Sequence, residues 1–116
     1  MKITRLYTGP DQESHFEDID LPLREKGDLV RMSDVTKATG ISYREADKNY
    51  RSDWHTAPHR QFVIVLGGVL EIEIGNGTIR RFGPGEVLLA EDTRGKGHLT
   101  RTVGNEPRRS LVVTLE

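Results

Sequence analysis

Three histidines and a glutamine stand out in this sequence as residues that could do chemistry. His55, His59 and Gln61 come just before an apolar run, and His98 ends a polar loop that begins at Glu91. Imidazole is a frequent ligand of divalent metals and the side chain best suited to exchanging protons near neutral pH. The pattern therefore indicates either a metal site or general acid–base chemistry.

The spacing of His55 and His59 limits what these two imidazoles can do together. Side chains alternate along a strand, so positions 55, 57, 59 and 61 would share one face of a straight strand. At ~3.3 Å per residue, His55 and His59 would then lie ~13 Å apart, too far for one metal with bonds of ~2.1 Å. Pro58 disfavours a straight strand, and a bend there would bring the rings closer. Without that bend, we expect His59 to lie at the surface.

The charged loop from Glu91 to His98 is the second place where chemistry could occur. If Glu91 points inward, it can act with His98 as an acid–base pair or supply a carboxylate ligand. The alternative is a solvated turn whose charges neutralise one another. The segment Gly95-Lys96-Gly97 lacks the first glycine of a phosphate-binding loop, which excludes that function.

The second half of the chain predicts the strands that would position these residues. Short apolar or alternating runs are separated by turn signals, among them an Asn-Gly pair at Asn76-Gly77 that is typical of a hairpin. No segment repeats apolar residues at helical spacing over the length of a helix. The predicted strands are Gln61–Leu66, Val69–Ile74, Thr78–Phe82, Glu86–Ala90, His98–Val103 and Ser110–Leu115.

The first half of the chain gives weaker signals. Phe16–Pro22 is typical of an edge strand that a proline ends, and Leu29–Met32 and Ile41–Ala46 are further candidate strands. Ser33–Thr39 could form about one helical turn. We find no internal repeat and no linker, so the chain is predicted to be one domain.

Composition restricts the classes of function open to this protein. The 116 residues contain no cysteine, which excludes disulfides, thiolate catalysis and cysteine-bound metal clusters. The net charge of −1 gives no sign of a nucleic-acid or membrane partner, and the pairs Arg80–Arg81 and Arg108–Arg109 are expected to be solvated. The start of the chain lacks the apolar run of a signal peptide, so a cytoplasmic location is expected.

The stretch from Asp53 to Ile72 resembles the first conserved motif of the cupins (RmlC-like superfamily), G-x5-H-x-H-x3,4-E-x6-G. His55 falls on its first histidine and Gly68 on its final glycine. Gly95 and His98 keep the G-x2-H spacing of the second motif. The resemblance implies an all-β jelly-roll barrel, with the core barrel in 53–116 and N-terminal strands in 1–52. It also implies a homodimer in which sheets are extended or N-terminal strands are exchanged.

The family's metal ligands are only partly kept in this sequence. Ala57 stands where the second histidine belongs, and Gln61 replaces the glutamate, so a neutral amide would take the place of a carboxylate. The resemblance implies that His55, Gln61 and His98 would be the ligands of any divalent iron, manganese, nickel or zinc ion. His98 and Glu91 are the candidate catalytic residues, and the candidate ligand-binding residues are Trp54, His59, Gln61 and Tyr43. Core packing is the alternative role for the two aromatic residues.

Three functions remain open from the sequence alone. The first is an enzyme of the isomerase or lyase type that acts on a small polar metabolite with the help of a metal. The second is a metal-free module that binds or senses such a metabolite with the same residues. The third is a structural homodimer whose barrel is filled by side chains. The replaced metal ligands favour the second and third over a standard metal enzyme.

Overall fold

The computed structural model describes residues 1–116 and contains strands and turns but no helix. This confirms the prediction of an all-β chain. The strands are β1 (Lys2–Thr8), β2 (Ser14–Asp20), β3 (Arg24–Gly27), β4 (Val30–Met32), β5 (Ala38–Ala46), β6 (Gln61–Gly67), β7 (Val69–Ile74), β8 (Ile79–Phe82), β9 (Val87–Glu91), β10 (His98–Val103) and β11 (Arg108–Leu115).

Two sheets face each other across the core. The larger has six strands in the order β2-β1-β9-β6-β11-β5, and the smaller has three in the order β10-β7-β8. All pairs are antiparallel except β1 with β9. Both sheets contribute to one apolar cluster, which includes Leu6, Val63, Leu88 and Val112 from the larger sheet and Leu70, Ile72 and Phe82 from the smaller one.

The alternation along β6 explains how this strand packs. Val63 and Val65 are buried against the smaller sheet, while Phe62 and Ile64 face the other side and are partly covered. The segment 21–38, which we call the N-terminal arm, lies across that outer face, where Met32 and other arm residues line a shared groove with it. The continuous apolar sequence of β6 therefore serves two packing surfaces.

The hairpin between β7 and β8 is formed at the predicted Asn-Gly pair. Gly77 has a φ of +87°, a backbone conformation that glycine adopts without strain. Its N–H donates to the carbonyl of Ile74, and the side chain of Asn76 accepts from the N–H of Thr78. This confirms the hairpin that the sequence predicts.

The N-terminal region differs from the sequence-based prediction. Strand β1 was not predicted, because its two buried residues, Ile3 and Leu6, are three positions apart and do not alternate. Ser33–Thr39 forms no helical turn, and its last two residues, Ala38 and Thr39, already belong to β5. That strand is an edge strand in which only Ala46 is buried.

A search for membrane-crossing segments finds no helix of the length and apolarity that a bilayer span requires.

Candidate functional site

A cavity of about 420 Å³ lies between the two sheets and is the principal candidate site. This volume is within the range of small-molecule sites in proteins. Its walls combine an apolar part with a few polar side chains, as ligand pockets generally do. The residues that matter below are the apolar Val63, Leu70, Ile72, Leu88 and Ala90 and the polar His55, Gln61, His98, Thr100 and Arg108.

His55 and His98 are brought together by a β-bridge at one end of this cavity. Each accepts a backbone hydrogen bond from the other, at N···O distances of 2.9 and 2.8 Å. Their rings lie side by side, with centroids 4.5 Å apart and planes inclined by 55°. Gly97 permits this approach, because a Cβ on it would collide with the carbonyl oxygen of His55. The two histidines from the predicted motifs therefore do share one site.

Asp92 fixes the orientation of the His98 ring. Its Oδ2 lies 2.5 Å from Nδ1 of His98 and accepts a second hydrogen bond, of 2.7 Å, from the hydroxyl of Ser14. An ionised carboxylate can only accept hydrogen bonds, so Nδ1 of His98 carries the proton. Asp92 is fully buried, so this pair is shielded from water. The remaining nitrogen of His98, Nε2, is thereby left as the one available to the cavity.

The ring of His55 is held in the same tautomer by a different partner. Its Nδ1 lies 2.9 Å from the carbonyl oxygen of Asp53, which can only accept, and 3.3 Å from the hydroxyl of Ser52. Nδ1 is therefore the protonated nitrogen of neutral His55 as well. The pair consequently presents two unprotonated Nε2 atoms when both rings are neutral.

Gln61 is the third residue of the predicted set that lines the cavity. It is buried at the start of β6, where it pairs with Ala90 of β9 and Thr114 of β11. Its amide can offer both a donor and an acceptor to a polar ligand.

The structure corrects the expectation that Glu91 acts with His98. Ala90 faces the core, so the next side chain along β9 points to the opposite side of the sheet. There Glu91 accepts hydrogen bonds of 2.6 Å from both Arg5 and Arg60. Burial opposes ionisation of this carboxyl, but the two guanidinium groups outweigh it and lower its pKa. Asp92 takes the position beside His98 that was expected for Glu91.

Three of the predicted ligand-binding residues lie away from the cavity. Tyr43 is 81% exposed on the edge strand β5, Trp54 is 47% exposed, and His59 is also exposed. None of them is among the residues that line the cavity. The surface position expected for His59 agrees with the structure, whereas the expected pocket-wall role of Tyr43 and Trp54 does not.

Two functional candidates, Asp92 and Arg108, were missed from the sequence. Arg108 was expected to be solvated with Arg109, but it is only 4% exposed and lines the cavity. The signal was present in the alternation of β11, since Arg108, Ser110 and Val112 all point inward. For Asp92 the sequence offered two adjacent carboxylates and no means to choose between them.

The side chains around His55 and His98 do not fit a tightly bound divalent metal. The structure contains no group of three or more His, Asp or Glu side chains that could surround an ion. Two imidazoles and the neutral amide of Gln61 are fewer strong donors than such sites normally provide. Asp92 is fully buried and does not line the cavity, so it does not add to the set.

Comparisons with known proteins identify the fold. No protein-family model matches the sequence, and no curated protein matches it at a significant level. Solved structures do match. A conserved protein of unknown function from Streptococcus pyogenes (SPY1581) has a TM-score of 0.52 at 23% identity, over 74% of this chain and 72% of its own.

Two further structural neighbours carry the name of the fold. A Cupin 2 conserved barrel domain protein from Salinispora arenicola has a TM-score of 0.55 at 19% identity, over 76% of this chain and 71% of its own. The cupin domain of Cnp3 from Schizosaccharomyces pombe has a TM-score of 0.54 at 14% identity, over 99% of this chain and 88% of its own. Together with the two facing sheets, these likenesses make this chain a small all-β domain with the cupin fold.

Proposed function

We propose that this protein binds a small polar metabolite in the cavity between its sheets and that His98 exchanges a proton with it. The observation that carries the proposal is the buried Asp92–His98 hydrogen bond of 2.5 Å, which leaves Nε2 of His98 for the cavity. A histidine oriented by a buried carboxylate is a common arrangement for a general base. The function is therefore that of a metal-independent enzyme of the isomerase or lyase type.

The chemistry follows from the protonation states of the two residues. Nε2 of His98 accepts a proton from a carbon or hydroxyl group of the ligand, and the resulting imidazolium is stabilised by the carboxylate of Asp92. If the proton returns to another ligand atom, the result is an isomerisation. If it goes to a departing group, the result is an elimination. His55 offers a second Nε2 that can receive or return a proton on the same ligand.

The composition of the cavity supports a ligand that is partly polar. Val63, Ile72 and Leu88 provide an apolar wall, while Gln61 and Thr100 supply hydrogen-bonding groups. Since the cavity has a volume of about 420 Å³, it suits a metabolite about the size of a sugar.

A metal-assisted reaction is the second candidate, and the close pair of His55 and His98 is the observation that favours it. Elemental analysis of tag-free protein, before and after incubation with iron, manganese, nickel and zinc, separates the two candidates. We expect no ion to remain bound after gel filtration. About one retained ion per chain, lost in His98→Ala, would replace the metal-independent proposal with the metal-assisted one.

Proton exchange itself can be tested on any metabolite found to bind. Metabolites that raise the melting temperature are incubated with the protein in D2O, and deuterium uptake at carbon is followed by NMR. We expect uptake with the wild type and none with His98→Asn. His59→Asn is the matched control, because His59 is exposed and does not line the cavity. If binding depends on His98 but no deuterium is taken up, the protein is a binding or sensing module and the proposed enzymatic function is wrong.

A further inference from the structure

Arg108 is a charged residue in an environment where charges are seldom found. It begins β11, is 4% exposed and lines the cavity described above. A guanidinium remains protonated in proteins, so this side chain brings a permanent positive charge into the interior. Burial lowers its pKa, the neighbouring Arg44 lowers it further, and Tyr50 opposes both effects.

No group of the protein balances that charge. Arg108 makes no ion pair, and its buried Nε has no hydrogen-bond partner. Glu45 is the only carboxylate that lines the cavity, and it is already paired at 2.8 Å with the exposed Arg109. Arg44 adds a second cation to the same wall. This part of the cavity is therefore positively charged.

An uncompensated buried cation is unfavourable in the free protein, and an anionic ligand would remove that cost. Buried charges in proteins are normally paired, because an ion loses its hydration on transfer to the interior. The planar guanidinium matches the oxygen atoms of a carboxylate or phosphate, which it can bind through two parallel hydrogen bonds. We propose that Arg108 is the binding site for the carboxylate or phosphate group of an acidic metabolite.

The position of Arg108 in the sheet indicates the direction in which this ligand extends. In the β6–β11 ladder Gln61 pairs with Thr114 at one end, while Arg109 pairs with Gly67 at the other. Six residues at ~3.3 Å each place the backbones of Arg108 and Thr114 ~20 Å apart. The long arginine side chain shortens the gap that a ligand must span. A chain-like acid, such as a sugar acid or sugar phosphate, would bind Arg108 through its anionic end and extend along the cavity toward Gln61.

The inference rests on the proposed function only in taking the same cavity as the ligand site, and it can be tested separately. The probes are D-gluconate, D-glucose 6-phosphate and the neutral D-glucitol, each titrated calorimetrically in a chloride buffer free of other oxyanions. We expect one or both acids to bind and glucitol to bind much more weakly. The two acids distinguish a carboxylate ligand from a phosphate ligand.

Arg108→Met removes the charge but keeps a long, unbranched apolar side chain. We expect it to weaken binding of the acids by about 10- to 100-fold, as loss of a hydrogen-bonded charge pair does. Without ligand, the variant should melt at or above the temperature of the wild type, since an unpaired buried charge is removed. If Arg108 had a purely structural role, Arg108→Met without ligand would melt at a lower temperature than the wild type. Arg24→Met is the control, because Arg24 is exposed, lies outside the cavity and pairs only with the exposed Asp34, so its binding should equal that of the wild type.

Each remaining outcome separates this inference from the proposed function. If glucitol and the acids bind equally and Arg108→Met changes neither, the inference is overturned, while the cavity remains a ligand site. If the acids require Arg108 but His98→Asn leaves proton exchange on them unchanged, the anion site stands and the proposed proton transfer fails. If none of the three probes binds, the inference is overturned for ligands of this size.

Discussion

Asp92 and His98 form a fully enclosed hydrogen bond in which the carboxylate determines the tautomer of the imidazole. The Nδ1–Oδ2 distance is 2.5 Å, and the same oxygen is hydrogen-bonded to Ser14 at 2.7 Å. The other carboxylate oxygen, Oδ1, has no partner, so Asp92 is held through a single oxygen atom. The direction of the His98 ring consequently depends on one residue from the loop that follows β9.

The tautomer of His98 should therefore change when Asp92 is altered. In wild-type protein at a pH where the ring is neutral, we expect the 15N spectrum to show a protonated Nδ1 and an unprotonated Nε2. In Asp92→Asn the amide can donate as well as accept, so the preference for protonated Nδ1 should weaken or reverse. Ser14→Ala is the control, because it removes a neighbouring hydrogen bond but leaves the carboxylate. An unchanged spectrum in Asp92→Asn would show that Asp92 does not set the tautomer.

The bridge between His55 and His98 depends on the absence of a side chain at Gly97. This residue has a φ of +76°, and an added Cβ would strike the carbonyl oxygen of His55. We expect Gly97→Ala to destabilise the fold by about 2–4 kcal/mol, the sum of a left-handed backbone and a steric clash. Chemical denaturation measures the loss, and the NMR signals of both histidine rings should shift.

Gly77→Ala is the matched control for this substitution. Its φ of +87° imposes a similar backbone strain, but no atom lies within 4 Å of the added Cβ. It should cost only about 1–2 kcal/mol and leave the histidine signals unchanged. Equal losses of stability in the two variants would mean that the collision with the carbonyl oxygen of His55 adds no cost beyond the backbone strain.

The position of Glu91 predicts a contribution to stability that depends on pH. Its folded-state pKa lies below the ordinary value of 4.5, so the unfolded chain binds its proton at a higher pH than the folded one. The stabilisation is then present above about pH 4.5 and is lost as the pH falls through the folded-state pKa. Glu91→Gln should cost about 1–2 kcal/mol at pH 7, moderated by the half-exposed Arg60, and progressively less in acid.

Denaturation curves between pH 3 and pH 7 measure this difference between the wild type and Glu91→Gln. Asp34→Asn is the control, since Asp34 and its partner Arg24 are both largely exposed and such pairs contribute little. A constant difference across the whole range would contradict the role assigned to the ionised carboxylate of Glu91.

Motif spacing predicted the pair of His55 and His98, and strand periodicity predicted most of the fold. Both rely on local sequence, which is why β7, its hairpin and β10 agree with the prediction. Glu91 and Asp92 show the limit of that approach. Adjacent residues of a strand point to opposite faces, so an uncertainty of one residue decides which carboxylate reaches His98.

Strand β1 and the burial of Arg108 were also missed, for different reasons. Strand β1 pairs with the adjacent β2 and also with β9, which lies more than 80 residues away, and it shows no alternation of its own. Arg108 could have been located by extending the alternation of β11 back from Val112. The predicted strand begins only at Ser110, and a charge is normally expected at the surface, so the pair Arg108–Arg109 is predicted to be solvated.

The exposed apolar residues of the N-terminal region lead us to expect a homodimer. Leu29 and Val35 in the N-terminal arm and Tyr43 on β5 are almost entirely exposed, and β5 has a free edge. Free edges and exposed apolar side chains favour pairing with another chain. Light scattering should give twice the mass of 13.1 kDa, and Leu29→Asp with Val35→Asp should reduce it to one chain. Ile79→Asp, on the smaller sheet, is the control and should remain dimeric. A wild-type mass of one chain at tens of micromolar would contradict the expectation.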